Sequence, residues 1–209
     1  MSYSIKETYL TIQGEGAHTG KVAIFCRFTG CNLWSGLEKD RANAECRFCD
    51  TDFIGVDGLG GGKFNSPEKL TNHLLSFWQG KEKPFVVFTG GEPLLQLDEN
   101  LVKILKKENI EIAIETNGTL LPPRDIDWIC VSPKAGTEIK LKSGNELKIV
   151  YPQDGLDPGN YLNLDFNIFS LQPMYDTDYE INLQETMKYC RTHPEWHLSL
   201  QVHKYLNIP

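Results

Sequence analysis

The sequence predicts an α/β protein built as an incomplete, open (β/α) barrel of about six parallel strands with shortened helices. Segments rich in β-branched and aromatic residues alternate with helical ones. The 209 residues fall short of the roughly 250 that a complete eightfold barrel takes. The connection KAGTEIKLKSGN (134–145) is too short and polar for a full crossover helix.

VAIFCRF (22–28) reads as the first strand. FVVF (85–88), IEIAIE (110–115), IDWICVS (126–132), ELKIVY (146–151) and FNIFSLQ (166–172) follow, and HLSLQVHKYL (197–206) reads as a last strand. Ser66-Pro67-Glu68 starts a helix running to about Gln79. Asp98 caps another through Lys107, with Leu101, Ile104 and Leu105 on one face. Asp178 begins a third through Cys190. No repeat or disordered linker breaks the pattern, and residues 1–209 are expected to form one domain. In such a sheet ligands bind just past the C-terminal ends of the strands.

Net charge is −7, from 21 Lys+Arg against 28 Asp+Glu. With no long basic run, a nucleic-acid partner is disfavoured. The start is too polar for a secretion signal, and no apolar stretch approaches membrane-spanning length. A cytoplasmic location is expected. Six cysteines in such a chain argue for a reducing compartment rather than a disulfide framework. Cys26, Cys130 and Cys190 sit in apolar periodic segments and read as small buried hydrophobes.

The other three, Cys31, Cys46 and Cys49, fall behind the first strand in GCNLWSGLEKDRANAECRFCDTDF (30–53). Two residues separate Cys46 from Cys49, so both thiolates can grip one cluster. Fourteen residues separate Cys31 from Cys46, a polar stretch able to loop out at modest entropic cost. Three thiolates on a 4Fe–4S cluster leave one iron open to an outside ligand. A zinc site closed by His18 or Asp50, or a set of ordinary buried thiols, would also fit these residues alone.

Here the chain resembles the radical S-adenosylmethionine (SAM) enzymes, whose cysteine signature often carries an aromatic just before its last member, as Phe48 stands here. The long first gap departs from the usual pattern and points to one branch, the 7-carboxy-7-deazaguanine synthases, some of which have this expanded loop. The resemblance extends through TIQGEG (11–16), CRFTGCNLW (26–34), CDTDF (49–53), FTGGEPLLQ (88–96), ETNG (115–118), SPK (132–134), LQPM (171–174) and HKYLNIP (203–209). Singly several of these are turns or strand ends; their order with the cysteine trio makes the match specific.

The resemblance implies a 4Fe–4S cluster on Cys31, Cys46 and Cys49, with SAM bound by Phe48, Gly91, Glu115, Ser132, Pro133, Lys134, Gln172, Pro173, Met174 and Tyr175. Glu92 is carried over beside Gly91. It implies a pterin substrate, 6-carboxy-5,6,7,8-tetrahydropterin, held by Ile12, Gln13, Gly14, Arg27, Thr89 and Pro209. Gln13 and Gly14 would offer backbone hydrogen bonds from a glycine-rich loop, and Arg27 a forked pair of donors to the carboxylate. Thr51 would ligate Mg²⁺, although Asp50 is the conventional choice by type. The reaction implied is hydrogen abstraction by a 5′-deoxyadenosyl radical, ring contraction and loss of ammonia. Glu15 and His203 stand as candidates for a late base. A homodimer and a flavodoxin or ferredoxin electron donor follow from the same resemblance. A glycyl-radical activase and a zinc-stabilised binding module are the rival readings.

Overall fold

The computed structural model describes residues 2–209, so the first residue of the expected 1–209 domain lies outside it. One nine-stranded sheet runs in the order β3-β1-β2-β4-β5-β6-β7-β8-β9. From β2 (Val22–Phe28) through β4 (Phe85–Gly90), β5 (Glu111–Thr116), β6 (Trp128–Val131), β7 (Ser143–Tyr151), β8 (Asp165–Pro173) and β9 (Trp196–Leu198), neighbouring strands are parallel. The expected open parallel barrel is therefore present, with the short β9 as its last strand.

Two strands at the other edge were not anticipated. β1 (Tyr3–Ile12) pairs antiparallel with β2, and β3 (Gly62–Phe64) pairs antiparallel with β1. A bulge between Ile5 and Glu7 breaks the alternation of β1. Lys6 and Thr8 are buried there, so polar residues occupy positions that a strand pattern expects to be apolar.

The last expected strand is mostly not one. After Leu198 the chain leaves the sheet, and Val202–Leu206 forms a short helix, α4, closed by Asn207 in the left-handed region (φ 53°). The alternating His-Leu-Ser-Leu pattern resembles a strand, but tertiary contacts decide otherwise. Val202 N–H donates to Gly14 O at 2.9 Å, and Gly16 N–H to Ser199 Oγ at 2.9 Å. The C-terminal segment thus closes the side of the barrel between β1 and β9.

α1 (Pro67–Leu75) starts where expected, with Ser66 Oγ accepting from Lys69 N–H. It stops before Gln79 because Phe77 and Trp78 bond three residues back instead of four. α2 (Glu99–Lys107) is capped by Asp98, which accepts from Leu101 N–H at 2.8 Å. Its buried face is Leu101, Val102 and Leu105; Ile104 is only half-buried. α3 (Tyr179–Thr192) follows β8. Between β5 and β8 no α-helix crosses over, so three of the barrel's connections are loops, the last holding one short 3-10 turn (Pro158–Tyr161), and the barrel is more stunted than the sequence implied.

The two faces of the sheet divide the labour. On the outer face Ile24, Cys26, Phe28, Val86, Phe88, Ile112 and Ile114 pack under α1 and α2. A second outer core joins Val131, Leu147, Ile149, Leu171 and Trp196 to α3 residues Tyr189 and Cys190. On the inner face Ala23, Phe85, Val87 and Ala113 plug the lower end, beside Phe25 and Trp128. Above that plug the inner face lines a cavity.

Candidate active site

The cavity has a volume of about 520 Å³, large enough for a nucleoside-sized and a bicyclic ligand together. Strand register decides which side chains enter it. Glu7 pairs with Arg27 and Tyr9 with Phe25 across β1 and β2, so all four share the inner face. Tyr9 and Phe25 stack with ring centroids 5.7 Å apart. Arg27 points inward, a question its own strand pattern could not decide. Its Nε donates to Glu7 Oε1 at 2.7 Å, and its side chain is only 17% exposed. The Nε edge of the guanidinium is thereby committed, the Tyr9 hydroxyl also lies against the group, and the rest of the fork faces the cavity.

Cys31, Cys46 and Cys49 all line the upper part of this cavity, and all are free thiols. Cys26 and Cys130 are sealed in the protein, and Cys190 is half-buried against the second outer core. The fourteen-residue stretch does not loop out freely. Its turn Glu38–Asn43 folds back, and Trp34, Ala44 and Phe53 form a small core that packs on Cys31 and Cys49. Arg41 stacks on Trp34 at 4.1 Å and donates to the carbonyls of Arg47 (2.9 Å) and Cys49 (3.1 Å). These contacts hold the thiols against the end of β2.

A hydrogen bond between the Cys46 and Cys49 thiols dominates their acidity: it draws Cys49 down to about 6 and pushes Cys46 up. The pair releases one proton readily and retains the second. Burial pushes Cys31 up. Among the described residues, no three His, Cys, Asp or Glu side chains are grouped to hold a single metal ion. His18, a candidate for closing a zinc site, lies at the opposite end of the barrel, packed on Phe85 and Trp128. Asp50, the other candidate, is ion-paired to Lys204 at 2.9 Å. The donor set that remains is three thiols lining one cavity, which fits a cluster with an unprotected iron better than a closed zinc site.

The Gly-Gly-Glu turn after β4 presses on the cysteine loop. Gly90 has a φ of 149°, and a Cβ there would meet Phe28 O at 2.4 Å. A Cβ on Gly91 would lie 2.2 Å from Gly30 O and 2.7 Å from the Cys31 Cβ. Glu92 N–H donates to Gly30 O at 2.9 Å. Gly91→Ala is expected to destabilise the metal-free protein by about 1–3 kcal/mol through this overpacking. Thermal denaturation checks it, and an unchanged midpoint would show that the turn yields without strain.

Glu92 itself does not reach the cavity. It is fully buried and accepts from Leu94 N–H and Thr116 Oγ1 through Oε1 and from Asn117 N–H through Oε2. The ligand contact expected of it is replaced by a positioning task, because its two oxygens tie the turn to the end of β5. Pro133 is the other residue that the structure does not bring to the cavity wall; its carbonyl accepts from Gln153 Nε2 at 3.4 Å.

Thr51, Phe48, Thr89, Gly91, Glu115, Ser132, Lys134, Gln172, Pro173, Met174 and Tyr175 do line it. Lys134 donates to Ser132 O (2.8 Å) and Oγ (2.7 Å). Burial lowers its pKa, against the pull of the nearby cysteines. At the other end stand Ile12, Gln13, Gly14 and Pro209. Gln13 has no free backbone to offer: its N–H donates to Lys21 O and its C=O accepts from Gly20, both at 2.8 Å. Its Oε1 accepts from Glu15 N–H, so contact with a ligand passes to the rest of its side-chain amide. Thr11 Oγ1 donates to Pro209 O at 2.9 Å, which brings the last residue to the cavity edge.

Sequence reasoning missed the charged floor. Lys148, from β7, is 4% exposed and pairs with Glu15 Oε2 at 2.8 Å and Glu115 Oε2 at 3.1 Å. Burial raises Glu15, but the Lys148 charge and hydrogen bond outweigh it and hold the carboxyl down to about 2. Burial keeps Glu115 above the usual range despite Lys148, with Glu15 and Glu146 adding repulsion. Lys148 sits high, because Glu115 and Glu15 overcome the burial that would lower it. The signal was faint: one lysine inside ELKIVY, on an otherwise apolar strand.

A model described as "Radical SAM superfamily" matches residues 40–154. The chain is 53% identical to 7-carboxy-7-deazaguanine synthase of Burkholderia multivorans and 52% to that of Caulobacter vibrioides, each over all of both chains. It is similar in structure to QueE from Escherichia coli, with a TM-score of 0.71 at 28% identity, covering 97% of this chain and 95% of that one.

Proposed function

Because the chain belongs to the 7-carboxy-7-deazaguanine synthase family of radical SAM enzymes, we propose that its cavity converts 6-carboxy-5,6,7,8-tetrahydropterin to 7-carboxy-7-deazaguanine with loss of ammonia. One observation carries this assignment to the site: the three free thiols and an inward arginine open into the same cavity.

Cys31, Cys46 and Cys49 would hold a 4Fe–4S cluster at the upper end. Phe48, Gly91, Glu115, Ser132, Lys134 and the segment Gln172 to Tyr175 hold SAM beside it, while Pro133 keeps its neighbours in place from behind. When bound, the cluster would supply electron-transfer chemistry and SAM radical chemistry. The chain's task is to position both ligands and to keep water out.

Arg27 meets the substrate carboxylate with its terminal nitrogens, held square by Glu7. Ile12, Gln13, Gly14, Thr89 and Pro209 frame the pterin. Thr51 would hold Mg²⁺, whose charge would neutralise the carboxylate; Asp50 is committed to Lys204. Thr51→Ala is expected to weaken the Mg²⁺ dependence of turnover at least about tenfold, measured as a shift in the Mg²⁺ activation curve. An unshifted curve would move the ion elsewhere.

Of the two base candidates, His203 is the better suited. Both Glu15 oxygens are engaged, by Lys148 and by Gln201 Nε2 at 3.0 Å, and its low pKa makes it a weak acceptor. Burial lowers the His203 pKa, so its imidazole is neutral at pH 7 and can take a proton.

The chain is read as one domain acting in the cytoplasm, and no helix among the described residues is long and apolar enough to cross a membrane. Nucleic acid is not a partner in this reading. Exposed Leu37 and Ile54 near the cysteine loop suit a flavodoxin or ferredoxin donor, and exposed Ile181, Leu198, Tyr205 and Leu206 suit a homodimer contact.

The test is anaerobic reconstitution followed by incubation with SAM, the carboxytetrahydropterin, Mg²⁺ and a reductant. Appearance of the deazaguanine chromophore is expected. Radical transfer to a protein partner in its place would favour an activase, and colourless protein with stoichiometric zinc would favour a binding module.

A further inference from the structure

We infer that Lys148 is a positioning residue that keeps two cavity carboxylates, Glu15 and Glu115, ionised and aimed at different ligands. This rests on the proposed reading in which Glu115 faces SAM and Glu15 faces the pterin. The geometry is a single ammonium shared by two acids that arrive from opposite sides of the barrel. Glu115 comes from β5, and Glu15 follows β1. Both contact the same Nζ, at 3.1 and 2.8 Å, and each is 22% exposed, to the cavity that all three line.

Other charged or thiol groups around Lys148 do not replace it. Glu146, one inward position before it on β7, is buried and spends its oxygens on Ser170 Oγ (2.6 Å) and Ala17 N–H (3.0 Å). Cys130 pairs in register with both Glu115 and Glu146, and burial holds its thiol protonated. Lys134 is committed to Ser132, and His203 lies on the Glu15 side.

A buried ion network is not a net stabiliser compared with a packed apolar side chain. Fold stability alone therefore gives no reason for a lysine here, whereas two ligand-facing carboxylates do. Without the ammonium, Glu15 and Glu115 would crowd as like charges, and one would take a proton. The carboxylate offered to the SAM ribose would then depend on pH.

The experiment uses anaerobically reconstituted holoenzyme with matched iron content. Equilibrium binding of SAM and, separately, of the pterin is measured by calorimetry between about pH 6 and 9. Lys148→Met is expected to weaken SAM binding roughly tenfold or more at neutral pH, with the loss deepening as pH falls. Adding Glu15→Gln removes the crowding charge and should bring SAM affinity back to within about threefold of Glu15→Gln alone, while pterin binding stays impaired. Lys148→Arg should hold both affinities.

A Lys148→Met protein with wild-type SAM affinity and a flat pH profile overturns the inference. So does a double variant that fails to recover, because a space-filling lysine would not be rescued by neutralising Glu15. If Lys148→Met alone does not fold, the double variant is compared with Glu15→Gln directly, and a further loss of SAM affinity decides against us. Unchanged SAM binding in Glu115→Gln overturns the underlying reading of Glu115 as well, which separates the two failures.

Discussion

Alanine at Cys31, Cys46 or Cys49 is expected to abolish both iron retention and turnover, while alanine at Cys130 or Cys190 leaves iron content intact. The three responsive thiols line one cavity. A cluster deprived of one of three protein thiolates loses a corner that no neighbouring donor can supply, since Asp50 is paired with Lys204 and His18 is at the far end of the barrel. Cys130 faces the barrel interior but is fully buried, and its replacement removes packing and a hydrogen bond to Glu115, about 1–2 kcal/mol, without touching a cluster ligand. Cys190 packs against the second outer core and costs no more. Iron and sulfide analysis of anaerobically purified variants, with their absorption spectra, reads the result. Iron lost from Cys190→Ala but kept in Cys46→Ala would sink the ligand assignment.

The second large effect is expected at Arg27. Replacement by methionine should raise KM for the carboxylated substrate by about a hundredfold, equivalent to roughly 2–4 kcal/mol for a truncated charge-assisted pair. Iron content and SAM binding should be preserved. Arg27→Lys keeps the charge but not the planar fork, so it should recover only part of the loss. Glu7→Gln weakens the bond that orients the guanidinium and should give a smaller rise in KM with kcat little changed. Because Arg27 is only 17% exposed, Arg27→Met leaves Glu7 without its partner and costs some stability, so thermal midpoints are measured beside KM and the KM change is read only in folded, iron-loaded protein. Unchanged KM in Arg27→Met would place the carboxylate elsewhere in the cavity.

Much of this arrangement was legible in the residues. The parallel strands announced themselves by β-branched and aromatic runs, and α2 and α3 by caps and apolar spacing. The cysteine trio, the Gly-Gly-Glu turn and the SPK and LQP segments were found as motifs, and nearly all of them meet at one cavity. What escaped was what short-range pattern does not encode. β1 hid behind a bulge and the buried, ion-paired Lys6, whose charge is satisfied by Asp52 and Asp57 at 2.8 Å from outside its own strand. α4 hid because its helical turn is held by a hydrogen bond to Gly14, nearly the whole chain away.

By itself the sequence determined the strand and helix composition and the donor types, because hydrophobic period and thiol spacing are local properties of the chain. Tertiary structure alone decided direction and pairing: that Arg27 turns inward with Glu7, that Glu92 caps a turn in place of touching a ligand, and that Lys148 joins two acids. Those outcomes depend on strand register and on which charges are buried together, and both are settled only when distant segments meet.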